Sequence, residues 1–162
     1  MENISKHLSY REVTFSSTAI RAGIDNTPTP EQLKNIKEWA EHIFERVRIG
    51  LGGRPVRATI FRSLKLNKII PGASPTSDHT AIKGAAGDLD NDNNPIGPTN
   101  REIFYYIYDN LEFDQLIWEY GTDENPDWVH VGWRGKKNRN QVLRKYSNQK
   151  RYKLFYPPKN IK

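Results

Sequence analysis

Four histidines and no cysteine set the limits on the metal chemistry open to this chain of 162 residues. Without thiolates, a zinc site must be built from imidazoles and carboxylates. Two segments bring both types close together: Ser77-Asp78-His79 followed by Gly84-Ala85-Ala86-Gly87-Asp88, and Asp127-Trp128-Val129-His130. Two histidines and one aspartate give three protein ligands and leave a fourth position for water, which is the arrangement of a catalytic zinc site. Asp88 and Asp90 compete for the carboxylate place, because residues two apart share one face of a strand. A lone histidine is usually an ordinary polar side chain. His7 and His42 lack partners of this kind, and His42 falls within an amphipathic helix.

Such ligands need a scaffold. Thr29-Pro30-Glu31-Gln32 supplies an N-cap hydroxyl, proline at the first helical position and glutamine at the third, a capping box. It predicts a helix through Arg48 with Leu33, Ile36, Ala40, Ile43, Phe44 and Val47 on its apolar side, ended by Gly50 and Gly52-Gly53. Thr99-Asn100-Arg101-Glu102 predicts a second helix through Leu111. Val56 to Phe61 reads as a strand, Pro71 to Lys83 as a loop, and Gly84 to Asp90 as a strand hosting a site. Leu116, Trp118 and Tyr120 alternate with Gln115, Ile117 and Glu119, and after a turn over Gly121 to Pro126 the last strand runs from Trp128 to Trp133. In that strand Val129, Val131 and Trp133 face away from His130. The order of elements predicts an α+β fold, with helices packed on an antiparallel sheet.

The length fits one domain with a real core, and four Trp with eight Tyr exclude a disordered chain. No run of 18 apolar residues suggests a membrane span, and Met1 to Tyr10 lacks a signal-peptide pattern. The net charge of +6 conceals a division: residues 134–162 hold eleven Lys/Arg and no acid, against fourteen Lys/Arg and nineteen acids before them. We expect a domain over residues 1–145 and a basic extension over 146–162, partly packed on it through Tyr146, Tyr152, Phe155 and Tyr156. A monomer is expected.

The motifs resemble those of the D-alanyl-D-alanine carboxypeptidase-like zinc peptidases, which share their fold with the Hedgehog signalling domain and include phage endolysins. The family pattern of Ser-x-His, Gly-x-Ala-x-Asp and a late His with an acid three residues earlier is matched by Ser77-x-His79, Gly84-x-Ala86-x-Asp88 and Asp127-x-x-His130. Ala22-Gly23-Ile24-Asp25-Asn26-Thr27-Pro28, Pro55-Val56-Arg57, Phe61-Arg62-Ser63 and Leu66-Asn67 extend the likeness over about residues 7 to 145. One departure is the spacing from His79 to Gly84, which holds four residues, Thr80 to Lys83, where the family usually has two.

The resemblance implies one zinc ion on His79, Asp88 and His130, with Asp88 selected over Asp90 by the Gly-x-Ala-x-Asp spacing. Zinc would activate a water and polarise the scissile carbonyl. Asp127 would be the general base and acid, Arg62 would face the developing oxyanion or a substrate carboxylate, and Ser77 would hydrogen-bond substrate. Asp127 can converge with His130 only if the strand begins after Pro126-Asp127. The implied reaction is hydrolysis of peptidoglycan stem peptides, of D-Ala-D-Ala carboxypeptidase or L-Ala-D-Glu endopeptidase type. The implied setting is the bacterial cell wall, reached from the cytoplasm by a phage lysis or virion enzyme.

Three rivals belong beside this reading. A non-catalytic zinc domain that binds a partner would have no need of a base at Asp127. A nucleic-acid-binding protein, or one drawn to anionic wall polymers, would use the basic extension. Asp88-Leu89-Asp90-Asn91-Asp92-Asn93-Asn94 begins like a calcium loop, but position 6 is Asn93 and position 12 is Thr99, where glycine and a bidentate glutamate are required.

Overall fold

The computed structural model of the chain describes residues 3–158. A ribbon of β1 (Asn3–Ser5) and β2 (Leu8–Ser9) leads into two short helices, α1 (Tyr10–Thr14) and α2 (Ser17–Ala22). The Thr29 capping box forms in full and starts α3 (Pro30–Trp39), which continues through a π-helical turn at Ala40–Phe44 into α4 (Glu45–Gly50). Gly52 and Gly53 then carry the chain away with φ of 76° and 74°. After β3 (Ala58–Thr59) and α5 (Leu64–Ile69) come β4 (Ala85–Leu89), α6 (Asn100–Asn110) started by the Thr99 capping box, β5 (Gln115–Glu119), β6 (Trp128–Trp133), β7 (Gln141–Lys145) and β8 (Lys153–Leu154).

The last six strands form one sheet in the order β3-β4-β6-β5-β7-β8. Every pair in it is antiparallel except β5 with β7. That exception departs from the expected all-antiparallel sheet. After β6 the chain crosses the sheet end through residues 134–140 and re-enters on the far side of β5, so β7 runs in the direction of β5. The result remains an α+β fold, with α3, α4 and α6 packed on one face.

Strand alternation divides the sheet into two faces. Leu89, Leu116, Trp118, Val129 and Val131 are at most 1% exposed and join Ile36, Trp39, Ile43, Phe44, Ile103, Phe104 and Ile107 from the helices in the core. Fixing the helix to the sheet, Trp39 Nε1 donates to the Val131 carbonyl at 2.9 Å, one residue from His130. Gly87 lies over the Trp39 ring, where an added Cβ would come within 2.5 Å of it. A larger residue would push that helix off the strand that carries Asp88. The opposite face, with Ala86, Asp88, Gln115, Ile117, Glu119, Trp128 and His130, is left open to form a cleft.

The strand expected over Val56 to Phe61 is cut to Ala58–Thr59 because neighbouring backbone groups are used elsewhere. Arg57 N–H donates to Asn91 Oδ1, and the Ile60 carbonyl lies 2.7 Å from His79 Nδ1. The Ile60 carbonyl thus orients a histidine instead of joining a ladder.

Candidate metal centre and its cleft

Asp88 and His130 are paired directly across β4 and β6, and the next strand sets Ile117 beside His130 and Glu119 beside Trp128. His79 reaches the same point from a 3-10 turn, Asp78–Thr80, whose N-cap is Ser77. Asp88 Oδ1 lies 2.9 Å from His130 Nδ1 and 3.3 Å from His79 Nε2. The three donor atoms all lie within 4.8 Å of one another. Zinc bonds of about 2.0–2.2 Å in tetrahedral directions put donor atoms roughly 3.3–3.6 Å apart, so a group gathered this closely could hold one ion.

The hydrogen bond of His79 agrees with that fit. His79 Nδ1, facing the Ile60 carbonyl, is the donor of that pair, which leaves the Nε2 lone pair turned to the site. Burial works against ionisation of Asp88, yet the charges and hydrogen bonds of His79 and His130 hold its carboxyl well below the usual range. Burial likewise opposes the charged form of His130, and Asp88, then Glu119 and Asp78, raise it nonetheless. The centre therefore attracts positive charge, which a cation satisfies.

The two additional residues between His79 and Gly84 do not displace the ligands. Ala81 takes a left-handed φ of 54° and is buried, and helix α3 ties the loop down: Gln32 Nε2 donates to the Thr80 carbonyl at 2.8 Å and Asn35 Nδ2 to the Ala81 carbonyl at 2.9 Å. Gly84 follows with φ of 144°, where a Cβ would meet the Trp133 carbonyl at 2.2 Å. Only glycine allows β4 to start so close to β6.

Asp90 is not brought to the centre. The strand ends at Leu89, and Asp90 Oδ1 accepts from Asp92 N–H at 2.9 Å and Asn100 Nδ2 at 3.3 Å. Asp127 is not brought there either. Strand β6 begins at Trp128, so Trp128 and His130 face the cleft while Asp127 precedes them on the other side, its side chain exposed. Its N–H donates to the Glu119 carbonyl and its own carbonyl accepts from Asn100 Nδ2. Strand parity outweighs the three-residue spacing from which its role was inferred.

The acid that does face the centre is Glu119, on the alternating face of β5. It is 5% exposed; Oε1 accepts from the Tyr152 hydroxyl at 3.3 Å, and Oε2 is buried without a hydrogen-bond partner. Burial pushes its pKa up to about 7; the neighbouring His130 charge opposes the rise. An acid in the otherwise apolar run Leu116-Ile117-Trp118-Glu119 was the signal in the sequence that could have revealed it.

Arg62 and Ser77 both line this cleft of about 810 Å³. Arg62 N–H donates to the His79 carbonyl at 2.9 Å, and its Nε is buried with no partner. Burial lowers the guanidinium pKa, against the attraction of Asp88 and Tyr152. Ser77 Oγ accepts from His79 N–H at 3.3 Å, so it caps the turn that presents a ligand. Beside them, Arg134 grips Asp78 with two bonds of 2.9 Å, and Arg139 grips the fully buried Asp114 at 2.9 and 2.6 Å. Arg144 pairs with Asp123 at 2.7 Å. Three cations of the basic segment thus neutralise acids of the body.

Three clustered residues that could hold a metal, open to a cleft with a buried acid beside them, fit the arrangement of a metal-dependent hydrolase. The chain belongs to the Peptidase M15 family, whose model matches residues 6–132, and it is thereby a zinc peptidase. No curated protein and no solved structure matches it. Among the described residues no helix is long and apolar enough to cross a membrane.

Proposed function

We propose that the chain hydrolyses stem peptides of bacterial peptidoglycan, at either a D-Ala-D-Ala or an L-Ala-D-Glu bond, with zinc on His79, Asp88 and His130. The observation that carries the reading is the unpartnered Glu119 Oε2, buried in the same cleft as the three ligands. A buried acceptor left without a donor costs roughly 1–3 kcal/mol, so its retention fits a task in the reaction.

When bound, zinc supplies Lewis acidity, lowering the pKa of a water towards neutrality and polarising the scissile carbonyl. Glu119 takes a proton at Oε2 and returns it to the leaving amine, the role first given to Asp127. A carboxyl poised near neutrality serves both directions of that transfer. Arg62 offers its free Nε–H to the developing oxyanion or to a substrate carboxylate, while its backbone N–H keeps the His79 turn in place. Ser77 acts on His79 through the cap and remains at the cleft surface for a substrate polar group. Phe15 to Thr18 and Gly72, Ala73, Ser74 and Thr76 also line the cleft, which has room for an extended peptide.

Incubation of purified peptidoglycan with the protein, with and without a chelator, tests the reading by mass spectrometry of the released fragments. New amino termini or free D-alanine that vanish with the chelator are expected and also distinguish the two bond types. No new termini from walls of several chemistries would overturn the substrate assignment.

A further inference from the structure

We propose that Tyr152 is a positioning residue that holds the Glu119 carboxylate for proton transfer, delivered by a segment outside the part of the chain that matches the family. The inference rests on the reading of Glu119 as proton carrier. The matched residues end at 132, whereas Tyr152 lies twenty residues beyond.

The sheet register brings it there. Glu119 on β5 pairs with Lys145 on β7, and β8 pairs with β7 through Arg144 and Lys153, so Tyr152 is next in line after Lys153 and falls opposite Lys145. Glu119, Lys145 and Tyr152 thus occupy one rung across three neighbouring segments. The Tyr152 hydroxyl donates to Glu119 Oε1 at 3.3 Å, and its ring lies 5.3 Å from Lys145 Nζ. Lys145 Nζ itself is turned to the Gln149 carbonyl at 2.6 Å, which leaves the tyrosine as the donor to the carboxylate. With Oε1 fixed, Oε2 is the oxygen available for a proton.

The segment is anchored well enough to position a side chain. Arg144 is 6% exposed and stands over the rings of Tyr146, Trp118 and Phe155 at 4.5 to 5.5 Å. Phe155 packs edge to face against Trp118 with ring centroids 5.9 Å apart, and its N–H donates to the Val142 carbonyl. Tyr152 itself is 49% exposed on the cleft wall.

The groups facing Glu119 are His130 on β6, Asp88 on β4, Lys145 on β7 and Tyr152. Among these, the hydroxyl is removed without touching a metal ligand by Tyr152→Phe in the full chain. With zinc bound and a synthetic stem peptide containing both candidate bonds as probe, kcat is expected to fall about 10-fold or more while KM stays within roughly twofold and zinc content is unchanged. A second readout needs no substrate: carbon-13 NMR of the Glu119 carboxyl, assigned through Glu119→Gln, is expected to titrate at higher pH in Tyr152→Phe, because a hydrogen bond to the carboxylate favours its charged form.

An unmoved midpoint would overturn the inference whether or not any peptide is cleaved. Inactive Glu119→Gln together with unaltered kcat in Tyr152→Phe would overturn it while leaving the proton carrier in place. Full turnover in Glu119→Gln would overturn the proton-carrier reading and this inference with it.

Discussion

Two clusters of acids lie at opposite sides of the strands β4 and β6, and they differ in how their oxygens are used. On the loop side, Asp90 accepts from Asp92 N–H and Asn100 Nδ2, Asp92 Oδ1 accepts from Asn100 Nδ2 at 3.1 Å, and Asp127 is exposed to water. Each of these carboxylates closes a turn or meets solvent. On the cleft side, Asp88 faces two imidazoles and Glu119 keeps one buried oxygen with no donor at all. The loop cluster is the more conspicuous in sequence, yet its carboxylates bond to loop donors or face water. What distinguishes a reactive group is capacity that the fold leaves unfilled.

The largest effect that could break this contrast is loss of the metal. His79→Ala should leave the protein without stoichiometric zinc and without turnover, as measured by metal analysis of the dialysed protein, and chelation of the wild type should reproduce the inactivity reversibly. Stoichiometric zinc retained by His79→Ala would mean that the ion is held elsewhere. Next in size, Glu119→Gln should keep zinc and lower kcat by roughly 10²–10⁴-fold, the range for a general acid–base group. Asp127→Ala supplies the contrast on the loop side. It should change kcat by about twofold at most, a barrier change of ~0.4 kcal/mol. An inactive Asp127→Ala beside an active Glu119→Gln would reverse the assignment.

The three candidate ligands are more legible in the sequence than the proposed base, for a physical reason. His79, Asp88 and His130 sit in short motifs whose glycines and serine have visible local duties: Gly84 allows the close approach of β4 to β6, Gly87 makes room for Trp39, and Ser77 caps the turn that carries His79. Local geometry of this kind is legible in a few residues. Glu119 comes to the centre through strand pairing instead, and pairing partners are written nowhere near one another. The three-residue spacing from Asp127 to His130 could be read, but on a strand it sends the two side chains to opposite faces.

The same division holds for the fold. Both capping boxes and the run Trp128 to Trp133 were readable because caps and alternation act within one segment. The parallel pairing of β7 with β5, and the use of Arg134 and Arg139 on Asp78 and Asp114, depend on contacts between residues 20 or more apart in the chain. The excess of positive charge in the last thirty residues therefore looked freer than it is.

The smallest prediction concerns the loop cluster alone. Burial, then the like charges of Asp90 and Asp127, hold the Asp92 carboxyl above its ordinary value of 3.8. A carboxyl whose pKa is raised by folding is protonated in both states at low pH and costs nothing there. As pH rises past the unfolded value the native state keeps its proton longer, and stability falls until the folded pKa is passed. Asp92→Asn removes that cost but preserves an oxygen to accept from Asn100. It should match the wild type in urea unfolding at acid pH below the unfolded value and exceed it at pH 7, by about 0.5 kcal/mol at most because the site is largely solvated. Turnover should not move. A gain present equally at acid and neutral pH would assign the effect to packing, and a loss at pH 7 would mean that the Asp92 charge is used, contrary to the view of this cluster as a set of completed turns.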